Sequence, residues 1–222
     1  MTQTLKESLF FFKRNIAKLL LYIISVSLLL ILLIKLLMPL FIKELTPENI
    51  EQFAQIVNLI IKPVYTGGFI ALLYSLAHGT EKSIVNCFIA GVLRWPQMLL
   101  ANIITSLMIF AGLMMFIIPG IWLFSRLFLV PYLVMLDNQS PFNAIISSYK
   151  MTEAYSFKIL NDVAILFLIL IGLVVVFSIL QIVHLMLILF ILLLFQGVLQ
   201  VVCYRHYEIL KDNKGREIAE QE

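Results

Sequence analysis

The chain has 222 residues, of which 62% are hydrophobic and 13% are charged, with a formal net charge of +3 and a mean hydropathy of +1.02. This composition excludes a water-soluble globule, because a chain of this length cannot bury so much apolar surface, and it is typical of an integral membrane protein. The small net charge is scattered among apolar runs, which excludes a nucleic-acid-binding surface.

The first predicted element is an amphipathic helix in the segment TLKESLFFFKRN. It opens with Thr4 and Glu7 at the spacing of a capping box, and it carries Leu5, Leu9 and Phe12 on one face. The apolar run that follows, LLLYIISVSLLLILLI, is longer than the core of a signal peptide and lacks a cleavage site of small residues. We therefore interpret this run as the first membrane span.

Six apolar stretches have the length of roughly 20 residues with which a helix crosses the hydrocarbon of a bilayer. They are predicted at 18–42, 56–78, 97–118, 120–136, 159–181 and 185–204. Because the stretches are continuous rather than alternating, they favour helices over the strands of a barrel. In the link after the first span, Thr46 before Pro47 predicts the capped start of a short helix, and Pro119-Gly120 predicts the turn between the third and fourth spans.

The links after the second and fourth spans predict two further amphipathic helices. Thr80 is the expected cap of the first helix, and Ser140 is the expected cap of the second, with Pro141 at its first position. The apolar stripes are Val85, Phe88, Ile89 and Val92 in the first helix and Phe142, Ile145, Ile146 and Tyr149 in the second. A linker beside any span can also look amphipathic, so that alternative stays open.

The three amphipathic helices recur at constant offsets, which predicts an internal repeat. Each unit is expected to be an interfacial elbow helix followed by a two-span hairpin. The repeats cover about 1–78, 79–136 and 137–204 of a single transmembrane domain, 1–204, and a polar cytoplasmic tail follows at 205–222. The predicted fold is therefore an all-α integral membrane protein with six transmembrane helices arranged as three hairpins.

Basic residues collect on one side of this six-span arrangement. They are Lys6, Lys13, Arg14, Lys18, Lys82, Arg94, Lys150, Lys158, Arg205, Lys211, Lys214 and Arg216. Only Lys35, Lys43 and Lys62 approach the other side. The positive-inside rule predicts that both termini lie in the cytoplasm. Four of these basic residues on or beside the amphipathic helices predict contact with membrane lipids, in particular the anionic lipids of the cytoplasmic leaflet: Lys6, Lys13, Lys82 and Lys150.

Short motifs spread over nearly the whole chain carry a family resemblance. They are FFKRN at 11–15, TPE at 46–48, Gly67-Gly68, IPGI at 118–121 with Arg126 and Pro131, and AIISSY at 144–149. In these motifs the chain resembles the YciC family of uncharacterised bacterial inner-membrane proteins and, more distantly, the membrane domains attached to some glycerophosphodiester phosphodiesterases. The resemblance implies a six-span inner-membrane protein of a Gram-negative bacterium and no established reaction. The phosphodiesterase catalytic domain is not in this sequence, so its activity does not carry over.

Arg126 is the candidate contact for an anion or a lipid, because it stands inside the apolar run IIPGIWLFSRLFLVPY. A charge at the centre of a membrane helix costs about 2.5–3.5 kcal/mol on insertion scales, so such residues often serve function. The alternative is a structural arginine whose long stem reaches the outer interface and whose guanidinium is satisfied by carbonyls or headgroups. Asp162 is expected to pair with Lys158 rather than with Arg126.

A candidate polar face inside the spans is formed by Asn102, Thr105, Ser106, Ser125, Gln196 and Gln200. Hydrogen bonds between helices explain such residues, and a hydrophilic pathway is the alternative. Gly67 and Gly68 predict a close approach of the second span to a neighbouring helix.

Motifs for catalysis, metal binding or cofactor binding are missing from the sequence. The two cysteines lie far apart, and the three histidines are expected at helix ends on different sides of the membrane, so neither set indicates a metal site. The apolar composition and the lack of these motifs favour a non-enzymatic inner-membrane protein that supports envelope or lipid homeostasis. The alternative is a transporter or lipid-translocating protein that uses Arg126 and the face of Gln196 and Gln200, and a membrane enzyme acting on lipids is the least favoured class.

Overall fold

The computed structural model describes residues 2–41, 46–80, 82–179 and 185–219, and every regular element in these residues is a helix. The helices are α1 (Gln3–Arg14), α2 (Ile16–Phe41), α3 (Pro47–Ala77), α4 (Ile84–Leu93), α5 (Trp95–Met115), α6 (Ile117–Leu127), α7 (Val130–Leu136), α8 (Pro141–Met151), α9 (Ser156–Ile179) and α10 (Leu185–Ala219). The predicted all-helical class is confirmed for this part of the chain.

Five described helical segments are long and apolar enough to cross a membrane. They are Ile16–Phe41, Glu48–Ala77, Trp95–Met115, Ile117–Leu136 and Ser156–Phe177. Each overlaps one of the first five predicted spans. The sixth predicted span, 185–204, lies in α10, and the side chains of its first six residues fall outside the described residues. Six spans therefore stay a prediction.

The helix boundaries correct two predictions about the links. Thr46 does cap a helix, since its side chain accepts a hydrogen bond from the backbone N–H of Asn49 at 3.3 Å. This helix is not a separate short one, because α3 continues from Pro47 to Ala77 without a break. The turn between α5 and α6 lies at Phe116, whose backbone is extended, rather than at Pro119-Gly120. Proline is accommodated in the first turn of a helix, where its missing N–H has no helical partner to lose.

The caps of the three amphipathic helices agree with the sequence at one position only. Ser140 caps α8 as predicted. Ser83 rather than Thr80 caps α4, and Thr2 rather than Thr4 caps α1. A capping box at Thr4 needs Glu7 to reach back along its own helix, whereas the Glu7 carboxylate is bound by a side chain of α10.

The apolar stripes of these helices do not all face outward. In α1, Leu5 and Phe12 are buried in the protein, and in α8 Ile145 is buried as well. The exposed apolar side chains are Val85, Ile89, Val92 and Leu93 on α4 and Phe142 and Ile146 on α8. The stripe of α1 therefore packs on the core, while α4 and α8 each leave apolar residues uncovered.

A buried core includes residues from the second half of α3 and from α4, α7, α8, α9 and α10. Its fully buried members include Ile70, Leu72, Leu73, Leu129, Leu133, Val134, Ile159 and Val201. The turn between α5 and α6 is the opposite extreme, since the side chains from Met114 to Ile118 are 70–80% exposed. Such a continuous apolar surface is unfavourable in water, whereas bilayer hydrocarbon would cover it.

The packing of α3 against α4 depends on small residues. A Cβ atom added at Gly67 would lie 3.3 Å from the Cα atom of Gly91, and a Cβ atom at Gly91 would overlap the carbonyl oxygen of Val64. The close approach predicted for Gly67 is therefore present, and α4 is the neighbour that makes it.

Candidate functional site

The fourth membrane-length segment is interrupted in its middle. α6 ends at Leu127 and α7 begins at Val130, with Pro131 in the first turn of α7. Proline supplies no N–H, and its ring clashes with the carbonyl four residues earlier, so the carbonyl of Leu127 loses a helical hydrogen bond and a straight helix is disfavoured here. The last carbonyl groups of α6 therefore need partners from elsewhere in the protein.

α8 supplies those partners to the backbone of Arg126. The Arg126 carbonyl oxygen accepts hydrogen bonds from the Ser148 hydroxyl at 2.6 Å and from the Thr152 hydroxyl at 3.2 Å. Ser148 and Thr152 are themselves fully buried. The two hydroxyls thus close the broken end of α6 with the last turn of α8.

The side chain of Arg126 also belongs to this junction and is only 7% exposed. Its Nη1 donates to the carbonyl oxygen of Tyr149 at 3.2 Å. The guanidinium carbon lies 4.9 Å from the ring centre of Trp122 and 4.6 Å from that of Tyr149. Nη2 lies 4.0 Å from a carboxylate oxygen of Glu153, whose side chain is 76% exposed.

These contacts are relevant to the alternative in which Arg126 has a structural role and binds no ligand. The positive charge sits at the carboxyl-terminal end of both α6 and α8, where the helix dipoles favour a cation. An arginine that extends to the outer interface would reach toward the α5–α6 turn. The Arg126 side chain instead contacts α8. The neighbouring Ser125 bonds within its own helix, since its hydroxyl donates to the carbonyl of Trp122 at 2.7 Å.

A polar cavity lies between α3, α5, α7 and α10, and we call it the α3–α5 cavity. Its volume is about 460 Å³. The polar residues that line it are Asn58, Lys62, Tyr65, Thr66, Asn102, Thr105, Gln196 and Gln200. The apolar part of the wall includes Val130 and Pro131, so the break between α6 and α7 borders the cavity.

A second cavity, the α2–α3 cavity, adjoins the first. Its volume is about 280 Å³, and it lies between α2, α3 and α10. The two cavities share Asn58, Tyr65, Gln196 and Gln200 in their walls. The α2 side is mainly apolar, with Ile23, Val26 and Leu30. Polar and apolar spaces therefore meet at the shared residues.

Part of the polar wall is bonded within the protein, and part is not. The Tyr65 hydroxyl donates to the Asn58 amide oxygen at 2.9 Å, and the Thr105 hydroxyl donates to the carbonyl of Ala101 at 2.8 Å. The hydroxyl oxygen of Thr66 and the amide oxygen of Gln200 are buried and have no hydrogen-bond partner in the described part of the chain. Because nearly all buried polar groups in proteins are bonded, these two atoms lack the partner that such groups usually have.

The cavity brings together four of the residues predicted as a polar intramembrane face, namely Asn102, Thr105, Gln196 and Gln200. Ser106, Ser125 and Arg126 are not in the described walls of either cavity. The sequence reasoning missed the α3 contribution of Asn58, Lys62 and Thr66. These residues stand at i, i+4 and i+8, which places them on one face of a helix, and this spacing was the available signal.

A family model matches residues 40–204, which is more than half of the chain. The chain belongs to the uncharacterised protein family UPF0259. No curated protein and no solved structure matches it. All residues that line the α3–α5 cavity lie within the part that matches UPF0259, whereas the α2 side of the second cavity lies outside it.

This UPF0259 member also has a buried polar cluster that joins three helices, with Asp162 inside the matched part and Thr2 and His206 outside it. The Asp162 carboxylate on α9 is fully buried and accepts a hydrogen bond from Nε2 of His206 at 3.1 Å. It also accepts one from the Thr2 hydroxyl, which caps α1. The predicted pair of Asp162 with Lys158 is therefore wrong, because the carboxylate turns inward to α10.

The charge state of His206 follows from its burial. Burial lowers the pKa of His206 below its ordinary value, and the adjacent Asp162 carboxylate offsets only part of that effect. A carboxylate can only accept, so the neutral ring carries its hydrogen on Nε2. The pair thus links α9 and α10 through a neutral histidine.

The same end of α10 binds α1 and the end of α7 through ionic contacts. Arg205 donates to the Glu7 carboxylate at 2.9 Å and to the Glu208 carboxylate at 3.0 Å. The hydrogen bond from Arg205 lowers the pKa of Glu7. Asp137 accepts a hydrogen bond from Tyr207 at 2.9 Å and pairs with Lys211. α10 therefore continues past residue 204 as a helix that is held to the rest of the fold.

Metal chemistry has no visible support in the described ranges of this UPF0259 chain. No group of three or more His, Cys, Asp and Glu side chains in those ranges is arranged to hold a metal ion. The polar groups that line the α3–α5 cavity are amide and hydroxyl groups and one ammonium group.

Proposed function

We propose that this UPF0259 member is a non-enzymatic, six-span protein of the bacterial inner membrane that binds lipid and supports envelope or lipid homeostasis. The observation that carries this proposal is the α3–α5 cavity, in which polar groups of three long helices converge within a largely apolar molecule. A polar headgroup can occupy such a space while its acyl chains lie against the exposed apolar helices. In the proposed topology both termini are cytoplasmic, as the distribution of basic residues favours.

The elbow helices complete the proposed arrangement in the membrane. α4 and α8 leave Val85, Ile89, Phe142 and Ile146 exposed. Apolar side chains of this kind on a short helix next to a span insert at the boundary between headgroups and acyl chains. In our proposal α1, α4 and α8 lie at the cytoplasmic surface, each before a two-span hairpin.

Lipid analysis tests the proposed binding directly. The protein is purified in a mild detergent, and the lipids that remain bound are identified and counted by mass spectrometry. We expect retained phospholipid in the unmodified protein and a loss of it in Thr66→Leu, which replaces a cavity hydroxyl by an apolar side chain. Ser106→Leu is the matched control, because Ser106 is exposed outside the described cavity walls. If the unmodified protein retains no more phospholipid than a detergent blank, lipid binding is refuted.

Spin labels test the elbow placement. A label at Phe142 on α8 should be accessible to oxygen and protected from a water-soluble nickel reagent, because its side chain is proposed to lie in lipid. Asn143 is the control position, since it is polar and exposed on the same helix. Equal access of the nickel reagent to both positions would contradict an interfacial α8.

A second candidate function is lipid translocation or transport. The break between α6 and α7 favours it, because Val130 and Pro131 border the α3–α5 cavity and interrupted helices beside a polar site are a feature of many transporters. Proteoliposomes with fluorescent phospholipid should then show transbilayer exchange above the rate of protein-free vesicles. An unchanged rate would exclude translocation of that lipid and leave the binding proposal intact.

A further inference from the structure

We infer that the α3–α5 cavity selects an anionic phospholipid whose headgroup carries free hydroxyl groups, which is the chemistry of phosphatidylglycerol. This inference rests on the proposed lipid binding and names the ligand of that same site. Lys62 receives the phosphate, and the headgroup hydroxyls bond to Gln200 and Thr66.

The need for hydroxyl donors follows from the unbonded atoms of the wall. The Gln200 amide oxygen accepts hydrogen bonds and cannot donate them, and it is buried without a partner in the described residues. Thr66 presents a second buried oxygen in the same cavity. A headgroup with O–H groups satisfies both atoms. A choline headgroup cannot, because its quaternary nitrogen has no hydrogen to donate.

The preference for a negative charge follows from the ionisable residues of the wall. Lys62 is the ionisable cation among the lining residues, and no Asp or Glu is among them. Lys62 forms no ion pair with any residue in the described part of the chain. A phosphate group supplies the missing counter-charge. An ethanolamine headgroup would add a second ammonium group beside Lys62, whereas a glycerol headgroup adds none.

The acyl chains have an apolar surface next to the headgroup site. The α2–α3 cavity shares Gln196 and Gln200 with the polar cavity, and its α2 wall consists largely of Ile23, Val26 and Leu30. On the other side, Ile103 of α5 is 43% exposed. A lipid whose headgroup lies at Gln200 can therefore place a chain against α2. This continuity favours a lipid over a water-soluble phosphate ester.

The test uses short-chain lipids and the purified full-length protein in detergent. Thermal unfolding is measured in titrations with dihexanoyl forms of phosphatidylglycerol, phosphatidylethanolamine and phosphatidylcholine, and with glycerol 3-phosphate. We expect phosphatidylglycerol to stabilise the protein at a concentration at least tenfold lower than the other three compounds require. Lys62→Met should weaken the effect of phosphatidylglycerol at least tenfold. Lys35→Met, which changes an exposed lysine on α2 outside the described cavity walls, should leave it unchanged. Gln200→Leu should reduce the preference for phosphatidylglycerol over phosphatidylcholine, and the charge preference due to Lys62 should remain.

The outcomes separate the two levels of the argument. Equal effects of phosphatidylglycerol and phosphatidylcholine would overturn the headgroup selectivity and leave lipid binding in place, with water as the partner of the unbonded atoms. Equal effects of phosphatidylglycerol and phosphatidylethanolamine would overturn the requirement for net negative charge. An effect of glycerol 3-phosphate as strong as that of the lipid would overturn the lipid as ligand. No effect of any phospholipid would refute the proposed function as well. The comparison of phospholipids on the unmodified protein tests the headgroup selectivity even if Gln200→Leu does not fold.

Discussion

Replacing Arg126 tests whether this buried cation holds the junction of α6 with α8. The guanidinium lies 4.9 Å from the Trp122 ring and 4.6 Å from the Tyr149 ring. These rings are on residues that are 40% and 37% exposed, so each cation–π contact is worth about 0.5–1 kcal/mol rather than the larger value of a desolvated site. The exposed Glu153 carboxylate adds about 0–1 kcal/mol.

The change Arg126→Gln removes both ring contacts and keeps an amide that can donate to a carbonyl. We expect it to lower the free energy of unfolding by about 1–2 kcal/mol, because the two ring contacts are lost and the cost of burying the charge is recovered in part. Arg126→Lys should lose less, since an ammonium retains the attraction to the rings but not the planar geometry. Reversible unfolding in mixed micelles measures the three free energies, and bound lipid is counted in the same preparations.

A double-mutant cycle isolates the ring contact. Arg126→Gln and Trp122→Leu are measured singly and together, and the coupling free energy should be about 0.5–1 kcal/mol. Additive effects would refute the proposed contact between the guanidinium and the Trp122 ring. Equal stability of all forms, with selective loss of bound lipid in Arg126→Gln, would show instead that Arg126 binds the lipid.

Two further predictions concern the buried polar groups. The double change Ser148→Ala with Thr152→Val should destabilise the protein by about 1–3 kcal/mol in the same unfolding assay, because the Arg126 carbonyl loses both hydroxyl partners. The control Ser147→Ala should have no comparable effect. Similar losses of stability in both variants would show that the hydroxyl bonds are unimportant. Burial lowers the pKa of His206, so the folded state favours the neutral ring. The contribution of the neutral His206 to stability is therefore present above the unfolded pKa of about 6.5. It is lost as the pH falls below that value, by at most about 1.4 kcal/mol per pH unit. His206→Gln keeps a donor without a titrating ring and should reduce the fall in stability between pH 7.5 and pH 5, and an unchanged pH dependence would count against this reasoning.

The sequence by itself determined the helices and several of their ends. Continuous apolar runs predict helices, because a backbone surrounded by hydrocarbon must bond within its own segment. Thr46 and Ser140 were predicted as caps and act as caps, since an N-cap depends on atoms within about three residues. Pro131, whose ring disfavours a straight helix, follows the interruption that the structure places between Leu127 and Val130. In each case the cause is local, and the sequence contains it.

Only the tertiary structure decided which polar groups meet. Asp162 had a local partner in Lys158, yet it bonds to His206 from α10, because the packing of α9 on α10 buries the carboxylate. Arg126 is held by α8, whereas Asn102 and Gln200 converge with Lys62 of α3 on one cavity. Helical periodicity shows which residues share a face, but the rotation and contact of each helix depend on close packing with distant segments. The sequence therefore predicted members of the candidate site, and the packing assembled them.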